Sequence, residues 1–372
     1  MRMKPILCLV SFSILFSSHP ADDKVHEGVR AFYNYEYDQA VSILTDVSFE
    51  HPDHPGIFLI LPAARWVLAQ AHSSVEVSYT VLEHDLNEAL FIYKDLIKDN
   101  PDNQEYRLYY GSALGLKARV NLGKKEWVKT LSNAYKGFRI IQDVAEKDSS
   151  LVDANLPIGI VEYYAGMSNG LIQFAAGLFG LDASREVGLL KIRKAVEAGS
   201  WSWTEASAIL SFIYLWSDRN PDEAENFSRK LVETYPQNFY YRILLTESLT
   251  RNGKLEDAKK SLLILDNSIG SLTEIQQKWF YGYLQFEWAL YHFYSENQEV
   301  SMRYVKQTIS SYGAELDIIL GEAFLLNGKL LDLKGERNEA VLSYRRCKEL
   351  DNMSQAMRDA KEFLKKPFSL PK

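Results

Sequence analysis

The sequence predicts an all-α fold, a superhelix of stacked helix–turn–helix repeats, on two observations. A pattern of small and apolar residues returns at an interval of 34 along the chain, in the arrangement expected of the second helix of a two-helix unit. The 372 residues are also 47% hydrophobic and 24% charged, enough apolar material for a long buried core. A single round core of that length would divide into domains, whereas an array can grow because each unit packs only on its neighbours.

The first residues read as an export signal. Arg2 and Lys4 form a short positive region, Ile6 to Phe16 an apolar stretch, and Ser17 to Ala21 a small, polar run suited to cleavage. Residues 1–21 are therefore expected to be removed, leaving a mature chain that starts near Asp22. The apolar stretch falls short of the ~20 residues that cross a bilayer. Cys8 lies too early, and Leu7 before it is too bulky, for a bacterial lipid-attachment site.

The clearest repeat is the series Asp222, Glu223, Ala224, Ser228, Leu231, Tyr235 and Pro236, and Ala258, Leu262 and Leu265 return 34 residues later. The small residue lets the second helix of a unit approach its neighbours closely, and the proline closes the turn. The same frame holds for Gly28, Ala40, Leu44, Val47 and Pro52, and again for Ala89, Tyr93, Leu96 and Pro101. Gly328, Gly335, Ala340, Tyr344 and Cys347 make the best single match. Weaker copies surround Ala134, Phe138 and Ile141, and then Gly188, Ile192 and Ala195, while residues 277–310 give a helical pair with a poor signature. The array is read over residues 22–352. Residues 353–372 hold a capping helix, from about Ser354 to Lys365, and a tail.

Two intervals break the period. Ala40 and Ala89 stand 49 residues apart, so the helices there are expected to be longer or an insertion present, with Pro62 as a break or kink. Ala134 and Gly188 stand 54 apart and enclose the apolar stretch from Gly166 to Leu181. Gly170, Gly177 and Gly180 are interspersed there with Leu171, Ile172, Phe174, Leu178 and Phe179. Such a segment is either a helical hairpin buried in the array, its glycines allowing close approach, or an element that contacts lipid or an apolar ligand.

These residues resemble the tetratricopeptide repeat (TPR) family over most of the mature chain, with about three strong units and four or five weak ones. The resemblance implies a right-handed superhelix whose concave surface, lined by the first helix of each unit, binds a protein or peptide without catalysis. Leu178 to Leu189, followed by Ala198, Gly199, Thr204, Glu205 and Ala206, also looks like a narrower group of exported bacterial TPR proteins of unassigned role. That group is distantly similar to TPR proteins of the mitochondrial outer membrane linked to inclusion clearance. Ala183 and Ser184 depart from its pattern, standing where a Gly-Asp type of turn is expected. With the export signal, the likeness implies an exported chain, expected in the bacterial periplasm.

The groove positions of the family map onto Phe32 and Tyr33 in the first unit, Ile213, Trp216, Tyr240, Glu247 and Arg251 in the clean central units, and Glu322, Leu325, Lys329, Asp332 and Leu333 in the last. This mixed apolar surface lacks the lysines and asparagines with which chaperone-binding relatives clamp a terminal carboxylate. The many aromatic residues are read mainly as core, the remainder as stacking surfaces for a ligand.

Other classes find little support. The formal net charge of −7 becomes more negative once Arg2 and Lys4 are lost, so long-range attraction to phosphate backbones is absent and nucleic acid is not expected as a partner. Cys347 alone remains in the mature chain, which precludes an intrachain disulfide, and its place in the repeat makes it a packing residue. His51, Asp53 and His54, with His26, His72 and His84 nearby in sequence, lack a metal-binding spacing and are read as a solvated turn. Neither a phosphate-binding loop nor a nucleophile elbow is present. No cofactor, no metal and no catalytic residue is expected, and the sequence leaves the oligomeric state open.

Overall fold

The computed structural model describes residues 19–167, 177, 182–314 and 316–370. Most of the proposed signal and nearly all of the glycine-rich stretch 166–181 lie outside these residues. Among the described residues there are seventeen α-helices and no strand. They run as α1 Asp22–Tyr33, α2 Tyr37–Glu50, α3 Ile57–His72, α4 Val75–Asp99, α5 Gln104–Gly123, α6 Trp127–Lys147, α7 Asn155–Met167 and α8 Arg185–Ala198. The chain continues with α9 Trp203–Phe212, α10 Pro221–Thr234, α11 Phe239–Arg251, α12 Leu255–Ser268, α13 Glu274–Tyr294, α14 Gln298–Ser311, α15 Ile318–Leu333, α16 Arg337–Glu349 and α17 Gln355–Lys365. Consecutive helices pair into eight two-helix units and α17 packs on the last, so the architecture is a TPR-like all-α superhelix.

The repeat frame is visible in what is buried. Ala40, Ala89, Ala224, Ala258 and Ala340 are each at most 2% exposed, and the residues four and seven places on from most of them are also covered. In α14 the same frame is filled by Ser301, Val305 and Thr308, all buried. In α6 the frame is not the expected one: Ala134 is exposed, and Gly137, Ile141 and Val144 face inward. The reason is the close crossing of α5 and α6, where a side chain on Gly137 would meet the carbonyl oxygen of Gly111 at 2.6 Å. Gly159 and Gly188 make the equivalent contact between α7 and α8. The long Ala40–Ala89 interval is taken up by the 25-residue α4, and Pro62 lies inside α3 without breaking it.

The turns within units repeat as well. Six of them pass through the left-handed region, at Tyr35, Lys125, Arg219, Gly253, Glu296 and Gly335. Five N–H groups just beyond reach back to the last turn of the first helix in the Schellman pattern, as in Glu36 N–H to Ala31 O at 3.0 Å and Glu336 N–H to Leu331 O at 2.9 Å. Glycine is the residue that adopts this conformation freely. Tyr35 and Arg219 occupy it nonetheless, and both side chains are used across the interior.

The array curls until its first unit meets units five to seven. Tyr33 Oη donates to Glu205 at 2.8 Å, Asn238 Nδ2 donates to Tyr33 O at 2.8 Å, and Gln276 Nε2 donates to Tyr37 Oη at 3.3 Å. Thr273 Oγ1 donates to Ala71 O at 2.5 Å, and His26 stacks on Trp201 with ring centres 4.1 Å apart. At the other end the Arg358 guanidinium of α17 donates to Ser217 O, tying the cap to unit five. The first helices of the units therefore face one another around a lumen.

Candidate functional site: the lumen

The lumen has a hollow end and a filled end. At the hollow end lies a cavity of about 410 Å³ between α1, α3, α5, α7 and α9, walled by residues that include Phe32, Trp66, Tyr109 and Trp201. A second cavity of about 280 Å³ adjoins it, walled by Tyr35, Tyr37, Tyr240, Trp279 and Phe280 among others. Phe32, Tyr33, Val67 and Glu205 line both, so these four residues form the threshold between them.

Polar groups at this end are few, and most are committed. Asp153 Oδ1 accepts from Trp201 N, Ser202 N and Ser202 Oγ, which anchors the turn into α9. Asn238 Oδ1 caps α11 through Tyr241 N, and Gln276 Oε1 accepts from Thr273 N in a capping box. Glu205 is different. One oxygen accepts from Tyr33 Oη, and among the described residues it has no other hydrogen bond and no cationic partner. Its side chain is walled by neighbouring residues yet exposed to solvent where the two cavities open. The surrounding walls desolvate it and push its pKa up, a shift that the bond from Tyr33 only partly opposes. Burial and the adjacent Glu205 push Tyr33 up in turn, so its hydroxyl stays a donor.

At the filled end, complementary side chains close the space. Glu247 accepts from Trp216 Nε1 at 2.8 Å and from Arg251 Nε at 2.6 Å. Arg251 and Arg219 both donate to Glu322 at 3.0 Å, and Arg219 also meets Asp359 at 3.4 Å. Burial pushes Glu322 up, but Arg219 and Arg251 overcome it and hold its carboxyl below the usual range. Burial, reinforced by the charge of Arg219, brings Lys329 down to about 8. Glu287 is fully buried and receives no N–H or O–H donor on either oxygen. Burial and the neighbouring Glu247 push its pKa well above the usual carboxyl range, which favours the protonated form beside Glu247. A small cavity of about 30 Å³ lies here, beside Arg251, Glu322 and Lys329.

The groove residues expected from the sequence are divided between the two ends. Phe32, Tyr33 and Tyr240 line the cavities. Ile213, Trp216 and Glu247 are not on an open surface: each is at most 1% exposed, and with Arg251 they belong to the filled end. Tight curling presses the facing first helices together there. Glu205, Trp66 and Trp201 were not among the expected groove residues. The one local signal was the run Tyr33, Asn34, Tyr35, Glu36, Tyr37, three large rings in a turn that ordinarily carries small or polar residues.

Two further expectations meet the structure differently. The histidine turn is solvated at Pro52 and Asp53 but not at His54. His54 is 1% exposed, with Nε2 against Asp22 Oδ1 at 3.0 Å and Nδ1 accepting from Gly56 N at 3.1 Å. His19 and Asp22 also bring potential metal-ligand atoms within 4.8 Å of those of His54, but both ring nitrogens of His54 are already used in packing the turn. Cys347 is buried as a packing residue, its thiol pushed up to about 12 by burial. Among the described residues, no helix is long and apolar enough to cross a membrane. The lipid-contact reading of residues 166–181 falls almost wholly outside them.

No family model and no curated protein matches the chain. Solved structures are similar in fold. A tetratricopeptide repeat protein from Parabacteroides merdae shares 12% identity over 92% of this chain and 97% of its own, with a TM-score of 0.34. A Rap protein complexed with competence and sporulation factor shares 10% over 91% of this chain and 77% of its own, with a TM-score of 0.37. A human IFIT1 dimer with PPP-AAAA shares 10% over 94% and 77%, with a TM-score of 0.40. Likeness of this size carries nothing about a partner.

Proposed function

We propose that the chain is an exported, non-catalytic scaffold of the bacterial cell envelope that binds a segment of a protein or peptide in its lumen. The observation that carries this reading is the pair of adjoining aromatic cavities at the hollow end, which the chain's own side chains leave open while they close the other end. Cavities of 300–1,000 Å³ suit small ligands or a few side chains rather than a folded surface. Large rings supply contact area at low entropic cost. Asp153, the other carboxyl in the wall of the larger cavity, is spent on holding a turn. The acidic net charge agrees with a partner other than nucleic acid.

The test is a photo-crosslinking residue placed at Gln70, in the wall of the smaller cavity, or at Leu131, 72% exposed on α6. Crosslinking is carried out in the native cell. One discrete protein adduct from position 70 and none from 131 is the expected result. Adducts from 131 alone would place the binding surface outside the lumen. Mass spectrometry of the purified chain tests the export reading, which expects an N-terminus near Asp22.

A further inference from the structure

We infer that the hollow end is a site for an apolar ligand that carries one protonated amine, the amine seated on Glu205 at the threshold between the cavities. The inference rests on reading the lumen as the binding site and adds the chemistry of what it takes. The walls are apolar, so a body of aromatic or aliphatic groups is favoured by removal of its surface from water. Two groups are out of balance with that lining: the indole N–H of Trp66, buried without an acceptor, and Glu205, a carboxyl with one neutral donor, Tyr33 Oη, and no cation among the described residues.

An ammonium arriving there supplies what the protein withholds. It donates to the unoccupied oxygen of Glu205, and a charge-assisted hydrogen bond is roughly twice as strong as a neutral one. The rings of Phe32 and Tyr33, which flank the same threshold, offer faces that attract a cation. A ligand acid would meet like charge at Glu205, and a neutral alcohol would gain only the ordinary bond. Gln70, in the wall of the smaller cavity and without a hydrogen bond among the described residues, can accept from a second donor. The contrast with the filled end supports this assignment, because there each carboxylate near an arginine is already paired.

Two sources present this chemistry, a small alkyl or aryl amine and the free N-terminus of an apolar peptide. The experiment titrates the full chain with octylamine, with 1-octanol, and with an apolar tripeptide whose N-terminus is free or acetylated. Binding is followed by calorimetry and by tryptophan emission, to which Trp66 and Trp201 in the cavity wall contribute. The expected result is octylamine bound about tenfold or more tightly than octanol. Glu205→Gln should remove that preference and leave octanol affinity within about twofold. Ala63→Phe, which puts a ring into the larger cavity, should weaken both ligands.

Tighter binding of the free than of the acetylated tripeptide, beyond the alkylamine preference, identifies a chain end as the source. Equal preference identifies a small amine. Should Glu205→Gln fail to fold by circular dichroism, the amine-to-alcohol ratio of the native chain and its loss in Ala63→Phe decide the matter. Equal affinity for amine and alcohol, or a preference that survives Glu205→Gln, overturns the site. A protein adduct from position 70 without any amine preference overturns the site and leaves the scaffold reading intact. Amine binding at Glu205 without an adduct does the reverse.

Discussion

The two ends of the lumen are built from the same two-helix unit and differ in what the inward-facing helices carry. At the filled end, arginine and carboxylate side chains meet across the lumen, and burial beside Glu247 raises the pKa of Glu287. At the hollow end, aromatic rings stand apart around cavities of about 410 and 280 Å³, and Glu205 faces them with a single donor. Repeat geometry alone therefore does not decide whether a superhelix holds a ligand; inward residues that satisfy one another close it, and those that do not leave it open.

The comparison breaks most sharply at Glu322. Glu322→Ala leaves the buried Arg251 and the half-buried Arg219 guanidinium groups without their shared acceptor, and breaking a buried ion pair from one side costs about 3–5 kcal/mol. Urea unfolding should show that loss, with ligand binding at the hollow end preserved in the folded fraction. Added bulk should be felt next. Gly328→Ala puts a Cβ 2.3 Å from the ring of Tyr344, which is fully buried and bonded through its hydroxyl to Asp332, so about 1–3 kcal/mol of overpacking is expected in the same assay.

Glu287 sharpens the comparison through pH. Its folded pKa lies above the unfolded value, so between the two values the folded state holds more protons than the unfolded state. Stability from this group is complete at low pH and falls through that window. Glu287→Gln keeps a neutral donor beside Glu247. It should raise stability at pH 7 to 8 by about 1 kcal/mol and flatten the decline, measured as the unfolding midpoint against pH. The smallest effect is expected at the hollow end, where Ala63→Phe enters open space and should change stability by less than about 0.5 kcal/mol while it blocks ligand.

The repeat could be read in the sequence because its constraint is local. Ala224 and Ala258 are small where helices cross, and no distant partner is needed to see the spacing. The phase of α6 was misread because Ala134 offered a small residue one turn before Gly137, which makes the actual crossing. The curling of the array was not legible. Tyr33 and Glu205 meet across 172 residues, and Arg219 and Glu322 across 103, with nothing in either neighbourhood to announce the other. For the same reason Trp216 and Glu247 looked like an open groove: their sequence positions show the facing helix, but not that another helix closes over them.

Accessibility of the two ends tests the central claim most directly. In a background carrying Cys8→Ser and Cys347→Ser, single cysteines are placed by Ala63→Cys at the hollow end or Leu326→Cys at the filled end, and each is reacted with a small maleimide. Rapid labelling at position 63, and labelling at 326 only as fast as the protein unfolds, is the result this account predicts. Equal labelling rates at the two positions would contradict it.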